Sequence, residues 1–191
     1  NITMAVTSAG DVVATEITND KRGIYDKGYT QGTEWTNVVK IVEHSFVEKH
    51  LIGISADGTL RFTCRSKDEI SKRLPVEAME VWSGIVQIFE GETGWYGLTK
   101  NGTVLFAAYE CTDGKVGREL VNVSKLRNIK KIAAEYKGCL VCIREDNTLA
   151  IANYENRKDE AFWAEVLNWT EISEVSDVVC GRLVGVKLDG S

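Results

Sequence analysis

A turn of the form Asp-Gly or Asn-Gly recurs about every 45 residues along this chain, and a chain written in that period has to fold as a series of like units. The turns stand at Asp57-Gly58, Asn101-Gly102, Asp146-Asn147 and Asp189-Gly190, with a weaker copy at Ala9-Gly10. Their second residues lie 48, 44, 45 and 43 positions apart. Each is preceded by an apolar run, and the first four are followed by another: Val12-Val13-Ala14, Leu60-Arg61-Phe62, Val104-Leu105-Phe106 and Leu149-Ala150-Ile151. Alternating apolar runs on either side of such turns predict hairpins in series.

Five residues before each turn position stands a small residue, Ala5, Gly53, Gly97, Cys142 or Gly185, and the next is always aliphatic. A strand kept free of bulk at one position in every copy predicts a close backbone approach there, as near a crowded central axis. Further upstream, Trp35, Trp82, Leu126 and Trp169 each precede by six residues an aliphatic Ile41, Ile88, Ile132 or Val175. Three strands per repeat are thus expected. The charged stretches Arg65 to Glu80 and Glu110 to Lys125 have room for a fourth, edge strand and a loop.

Short strands in a period of 40 to 50 residues predict an all-β fold of β-propeller type, one repeat per blade. The wording of the repeat carries a resemblance. Trp82-Ser83-Gly84-Ile85-Val86-Gln87-Ile88, then Glu90-Gly91, then Tyr96-Gly97-Leu98-Thr99-Lys100-Asn101-Gly102-Thr103-Val104, and His50 three residues before its Gly, resemble the bacterial branch of the regulator-of-chromosome-condensation repeat family. The Gly-rich end of that family's repeat is replaced here by Cys64-Arg65-Ser66, Ala108-Tyr109-Glu110 and Asn153-Tyr154-Glu155. The resemblance implies a propeller that binds a protein partner through its loop faces, with His50 packing at the mouth of a blade.

The period divides the chain into a partial blade 1–34, three complete blades 35–81, 82–125 and 126–168, and a partial blade 169–191. Both partial copies contain the strand before the turn, so they do not sum to one blade. A piece of a longer propeller fits this count. The alternative is an open arc whose edges are capped by another chain or by self-association.

Other features narrow the chemistry. The net charge is −5 with both signs mixed along the loops, whereas a nucleic-acid grip needs a segregated basic field, so the clusters Lys125 to Lys131 and Arg157-Lys158 read as solvated rim. Cys139 and Cys142 form a C-x-x-C, but on a strand, where residues three apart point to opposite faces and cannot converge on one ion. With Cys64, Cys111 and Cys180 at unrelated registers, the five cysteines predict free thiols, as in a reducing, cytoplasmic compartment. Sequons at Asn1, Asn101, Asn122 and Asn168 are accounted for by turn chemistry and chance. Only two histidines occur, His44 and His50, with no nucleophile motif beside them. Neither an enzyme, a metal site nor a bound cofactor is expected.

A binding surface is expected instead. Loops joining the first strand of each repeat to the second should lie side by side over Glu43 to Lys49, Glu90 to Gly94, Glu135 to Gly138 and Asp177 to Gly181. Glu43 and Glu90 stand two residues after the register aliphatic and Glu135 three, and together they would line that rim with negative charge, while Phe46, Tyr136 and Trp95 supply aromatic area of the kind hot spots use. Tyr109 and Tyr154, with Phe162-Trp163, form a second group after the third strand. The function expected is a non-catalytic protein-interaction scaffold whose partner carries a basic patch. A lectin-like propeller is the alternative, disfavoured because the aromatic sets differ from blade to blade.

Overall fold

A computed structural model describes residues 3–14, 31–44, 50–63, 74–109, 122–136, 138–154, 158–178 and 182–191. Among them the chain is mostly β. It forms thirteen strands in five antiparallel sheets: β1 (Met4–Val6) with β2 (Val12–Ala14); β3 (Val38–His44), β4 (His50–Ser55) and β5 (Leu60–Phe62); β6 (Ile85–Glu90), β7 (Gly94–Thr99) and β8 (Val104–Ala108); β9 (Ile129–Tyr136), β10 (Cys139–Arg144) and β11 (Leu149–Ala152); β12 (Ile172–Val178) with β13 (Arg182–Lys187). The three strands per repeat read from the period are all present in each complete copy. Two compact units divide the chain, Asn1–Val86 and Gln87–Ser191.

Every predicted turn is formed, the weak copy at Gly10 included. In each, the second turn residue donates its N–H to the carbonyl three residues back, as Gly58 does to Ser55 at 2.8 Å and Gly102 to Thr99 at 3.0 Å. That residue alone takes a left-handed conformation: Gly10 at φ 85°, Gly58 at 81°, Gly102 at 73°, Asn147 at 65° and Gly190 at 86°. One positive φ rather than two marks a type I turn closed by a bulge. At Asp57 the side chain accepts the Thr59 N–H at 2.9 Å, and Asp146 and Asp189 do the same for Thr148 and Ser191. Those bonds hold the three exposed carboxyls below the ordinary aspartate range.

The turns also join one repeat to the next. Gly10, Gly58, Gly102 and Asn147 each offer a carbonyl to the N–H of the first residue of the following first strand, Val38, Ile85, Ile129 and Ile172, at 2.9 to 3.0 Å. The residue before each donor is left-handed in every copy, Asn37 at φ 59°, Gly84 at 64°, Asn128 at 57° and Glu171 at 60°. At this junction a close backbone approach does exclude side chains: a Cβ on Gly58 would lie 2.5 Å from the Gly84 Cα.

The small slot five residues before each turn has a different cause from the one expected. A Cβ built on Gly53 would stand 2.9 Å from the Trp35 ring, and one on Gly185 equally close to Trp169. The slot is empty because the tryptophan of the same repeat lies over it, not because another backbone does. In the third complete repeat the tryptophan is Leu126 and the slot holds Cys142, both in one buried cluster. A smaller cover admits a larger slot residue. The slot strands β4, β7 and β10 are the middle strands of their sheets.

Of the stretches expected to hold a fourth strand, residues 65–73 and 110–121 lie outside the described residues; what is described before each tryptophan register is helical: a turn at 31–33, α1 (Val76–Met79), a turn at 122–123 and α2 (Glu160–Leu167). In α2, Trp163 and Val166 are buried three residues apart with Leu167 beside them, so one helical face packs inward while Glu160 and Glu165 face water.

Burial follows the repeat. In the first unit Leu51, Ile52, Ile54, Leu74, Met79, Trp82 and Ile85 are buried. The second unit has two separate clusters, one from Tyr96 and Leu98 to Leu140 and Cys142, the other from Val141 and Ile143 to Trp163 and Ile172. Each fills the space between one repeat and the next, as expected where no single repeat can bury both faces of its sheet.

Candidate functional site

The best-defined loop joining a first to a second strand lies between β6 and β7. Gly91 donates to the Gly94 carbonyl at 2.8 Å, closing the loop, and the Tyr109 N–H donates to Thr93 at 2.9 Å. Tyr109 then folds its hydroxyl back over the loop, donating to Glu90 Oε1 at 3.0 Å and approaching the Gly91 carbonyl at 3.1 Å. From the next repeat, Glu135 Oε2 accepts the Glu92 N–H at 2.7 Å. A side chain on Gly91 would run into that carboxylate and the Tyr96 ring, so glycine is required where the two repeats meet.

Consecutive first strands in this unit are bridged below the loop. The Gln87 amide pairs with the Ile132 backbone in both directions, Nε2 donating to its carbonyl at 2.8 Å and Oε1 accepting its N–H at 2.9 Å. One side chain thereby substitutes for a rung of sheet between β6 and β9. Between β9 and β12 the link is ionic, Lys131 Nζ to Glu174 at 2.8 Å with both groups well exposed, and the neighbouring ammonium holds the Glu174 carboxyl low.

The β6–β7 loop therefore lies against the end of β9, with a carboxylate at the contact. Glu90 and Glu92 are exposed, Glu135 is half-buried at the seam, and Glu43 is exposed near the end of β3 in the first unit. Comparison with family models, with curated proteins and with solved structures returns no match for this chain. What the loop face does has to be read from its own chemistry.

The aromatic anchors require correction. Tyr136 is 5% exposed, its ring 6.0 Å from Phe162 and 5.9 Å from Trp163, and Trp95 is completely buried. Both sit at strand ends whose alternation turns them into the core, so neither is an exposed hot spot. Phe46 lies outside the described residues, as do Cys64, Cys111 and Cys180. Tyr109 is half-buried and belongs to the loop face, not to a separate outer edge. Tyr154 is half-buried too and borders a pocket of about 200 Å³ with Asn122, Lys125, Arg144 and Asn153. Gln87 and Gly91 stand in the repeat wording and Glu92 in the expected loop, but their roles come from contacts with the next repeat, which the repeat wording does not reveal.

Cys139 and Cys142 are free and belong to opposite clusters, on opposite faces of β10. Burial pushes the Cys142 thiol up to about 12, which leaves it protonated and unreactive. Among the described residues no group of carboxylates, imidazoles and thiols converges to hold a metal, and no helix is long and apolar enough to cross a membrane.

Proposed function

We propose that the chain is a protein-interaction scaffold, a β-propeller built of repeats of the regulator-of-chromosome-condensation type, whose first-to-second-strand loops receive a partner bearing a basic patch. One observation carries the reading: the bond from the Glu92 N–H to Glu135, which sets the β6–β7 loop against the end of β9 with Glu90 and Glu92 exposed at that loop. The Gln87 pairing with the Ile132 backbone supports the same reading, because it ties the two first strands together just below the loop, and binding groups on a rigid base need little ordering. In this reading the exposed Glu43 offers the same charge in the first unit, and Phe46, outside the described residues, is the apolar anchor that remains once Tyr136 and Trp95 are buried. Tyr109 shields the Glu90 end of the loop.

Immobilised chain incubated with lysate at low ionic strength tests it. The expected outcome is a protein retained by wild type, released as salt rises, and lost with the Glu90→Gln, Glu92→Gln double variant. A partner held equally by both and indifferent to salt would refute the loop face, and recovery of glycans instead of protein would transfer the case to the lectin reading.

A further inference from the structure

The slot is finished differently in the third complete repeat. In the first, Trp35 covers Gly53, and the residue paired with Gly53 across the hairpin is Arg61, whose Nε donates to Ser55 Oγ at 3.1 Å. In the second, the residue paired with Gly97 is Leu105. In the third, Leu126 stands at the tryptophan register, Cys142 in the slot and only Ala150 opposite it. The thiol takes up part of the space an indole would fill, but a methyl group replaces the long side chain beside it.

What remains is the pocket of about 200 Å³ that Tyr154 borders. Its apolar side is Leu126, Ala150 and Ala152, all members of one buried cluster. Its polar side carries Lys125 and Arg144, and no carboxylate lines it among the described residues, although the chain as a whole has a net charge of −5. Arg144 is held by Nη1, which donates to Thr148 Oγ1 at 3.2 Å and to the Leu149 carbonyl, leaving Nε and Nη2 without a partner among the described residues. The carboxylate of Asp146, two residues on, is committed to the Thr148 N–H and hydroxyl at 3.0 and 2.6 Å. Lys125 is exposed and reaches only Asn122 Oδ1, at 3.5 Å. The Asn122 amide in turn donates to Asn153 Oδ1 at 2.8 Å, so the turn that carries Lys125 is tied to the end of β11 before a ligand arrives.

We infer that this pocket binds a small aromatic carboxylate. Its ring lies against Leu126, Ala150 and Ala152, where the sister repeats seat the indoles of Trp35 and Trp169, and its anionic group is met by Arg144 and Lys125. The volume admits one ring with a short acidic arm. Selectivity comes from charge-assisted bonds, since a held guanidinium with unengaged donors favours an anion over its neutral isostere. The site is distinct from the loop face and does not depend on what that face binds.

Phenylacetate titrated into the full chain is the probe, read from the methyl resonances of Ala150 and Ala152, with phenylacetamide and acetate as the chargeless and ringless controls. Saturable shifts at both methyls are expected, with phenylacetate binding at least ~10-fold more tightly than either control. Arg144→Gln should weaken it ~10-fold and Lys125→Met, at an exposed position, ~3-fold. The double variant Leu126→Trp, Cys142→Gly rebuilds the cover and slot of the first complete repeat, and it should stay folded while binding nothing detectable. Ala150→Leu, which copies Leu105, should close the pocket by a second route. No saturable shift at about 10 mM phenylacetate, equal binding of either control, or shifts that persist with the pocket filled by either route would each overturn the inference.

Discussion

At the scale of single residues, one exchange inside the repeat explains the slot. Trp35 covers Gly53, Trp169 covers Gly185, and Leu126 stands with Cys142. Introducing Gly53→Cys alone forces a side chain against the Trp35 ring and should cost about 1–3 kcal/mol, and Trp35→Leu alone opens a cavity. Together they recreate the Leu126 and Cys142 combination, so the double variant should lose less than the sum, with a coupling of about 0.5–3 kcal/mol in denaturant titrations. Strict additivity would mean the two positions do not pack on each other. Glu171 offers a second test. It holds φ 60° where the other copies have Asn or Gly, and an L-residue with a long side chain is strained there. Glu171→Asn should therefore stabilise the chain by up to ~1 kcal/mol, read from the midpoint of chemical denaturation.

At the scale of elements, the hairpin turns and the helices answer to different forces. Asp57, Asp146 and Asp189 each hold a backbone N–H two residues on, and their carboxyls sit below the ordinary value of 3.8. A depressed carboxyl contributes stability that is fully present above its unfolded value and is lost as pH falls through its folded one. Stability should accordingly decline below pH 3.8, and the triple Asp→Asn variant, whose side-chain oxygens still accept but do not titrate, should show a flatter profile between about pH 5 and 3. Helix α2 depends on burial instead. Trp163 is 0% exposed with its indole nitrogen unpaired among the described residues. Trp163→Ala should cost about 3–5 kcal/mol, while Trp163→Phe, which leaves out the unpaired polar group, should cost less than ~1.5 kcal/mol in the same titration.

At the scale of the whole molecule, stability is distributed by repeat. Each junction in the second unit has its own apolar cluster and its own turn-to-strand bond, so damage at one junction should be felt mainly by its two neighbours. Net charge compounds the local acidity of Glu90 and Glu92 with a background of −5. Association with the partner retained in a pull-down should slow as salt rises, because opposite fields accelerate encounter and ions screen them over about 8–10 Å. Stopped-flow rates at two ionic strengths check this. An association rate that does not change with salt would place recognition on uncharged surface.

The turn period, the three strands per copy and the antiparallel hairpins were legible because they are local: a left-handed Gly or Asn and alternating apolar residues act within a few positions of one another. The splayed C-x-x-C followed from strand alternation in the same way. What covers the slot and which aromatics face the core were decided by neighbours about 16 to 27 residues away. Gly53 reads as a close backbone approach until Trp35 is seen above it, and Tyr136 reads as a loop aromatic until α2 brings Trp163 against it. The Glu92 and Glu135 seam belongs to the same class. A repeat announces its own hydrogen bonds in sequence, but the packing between repeats depends on side chains that need not recur, and only the folded chain brings them together.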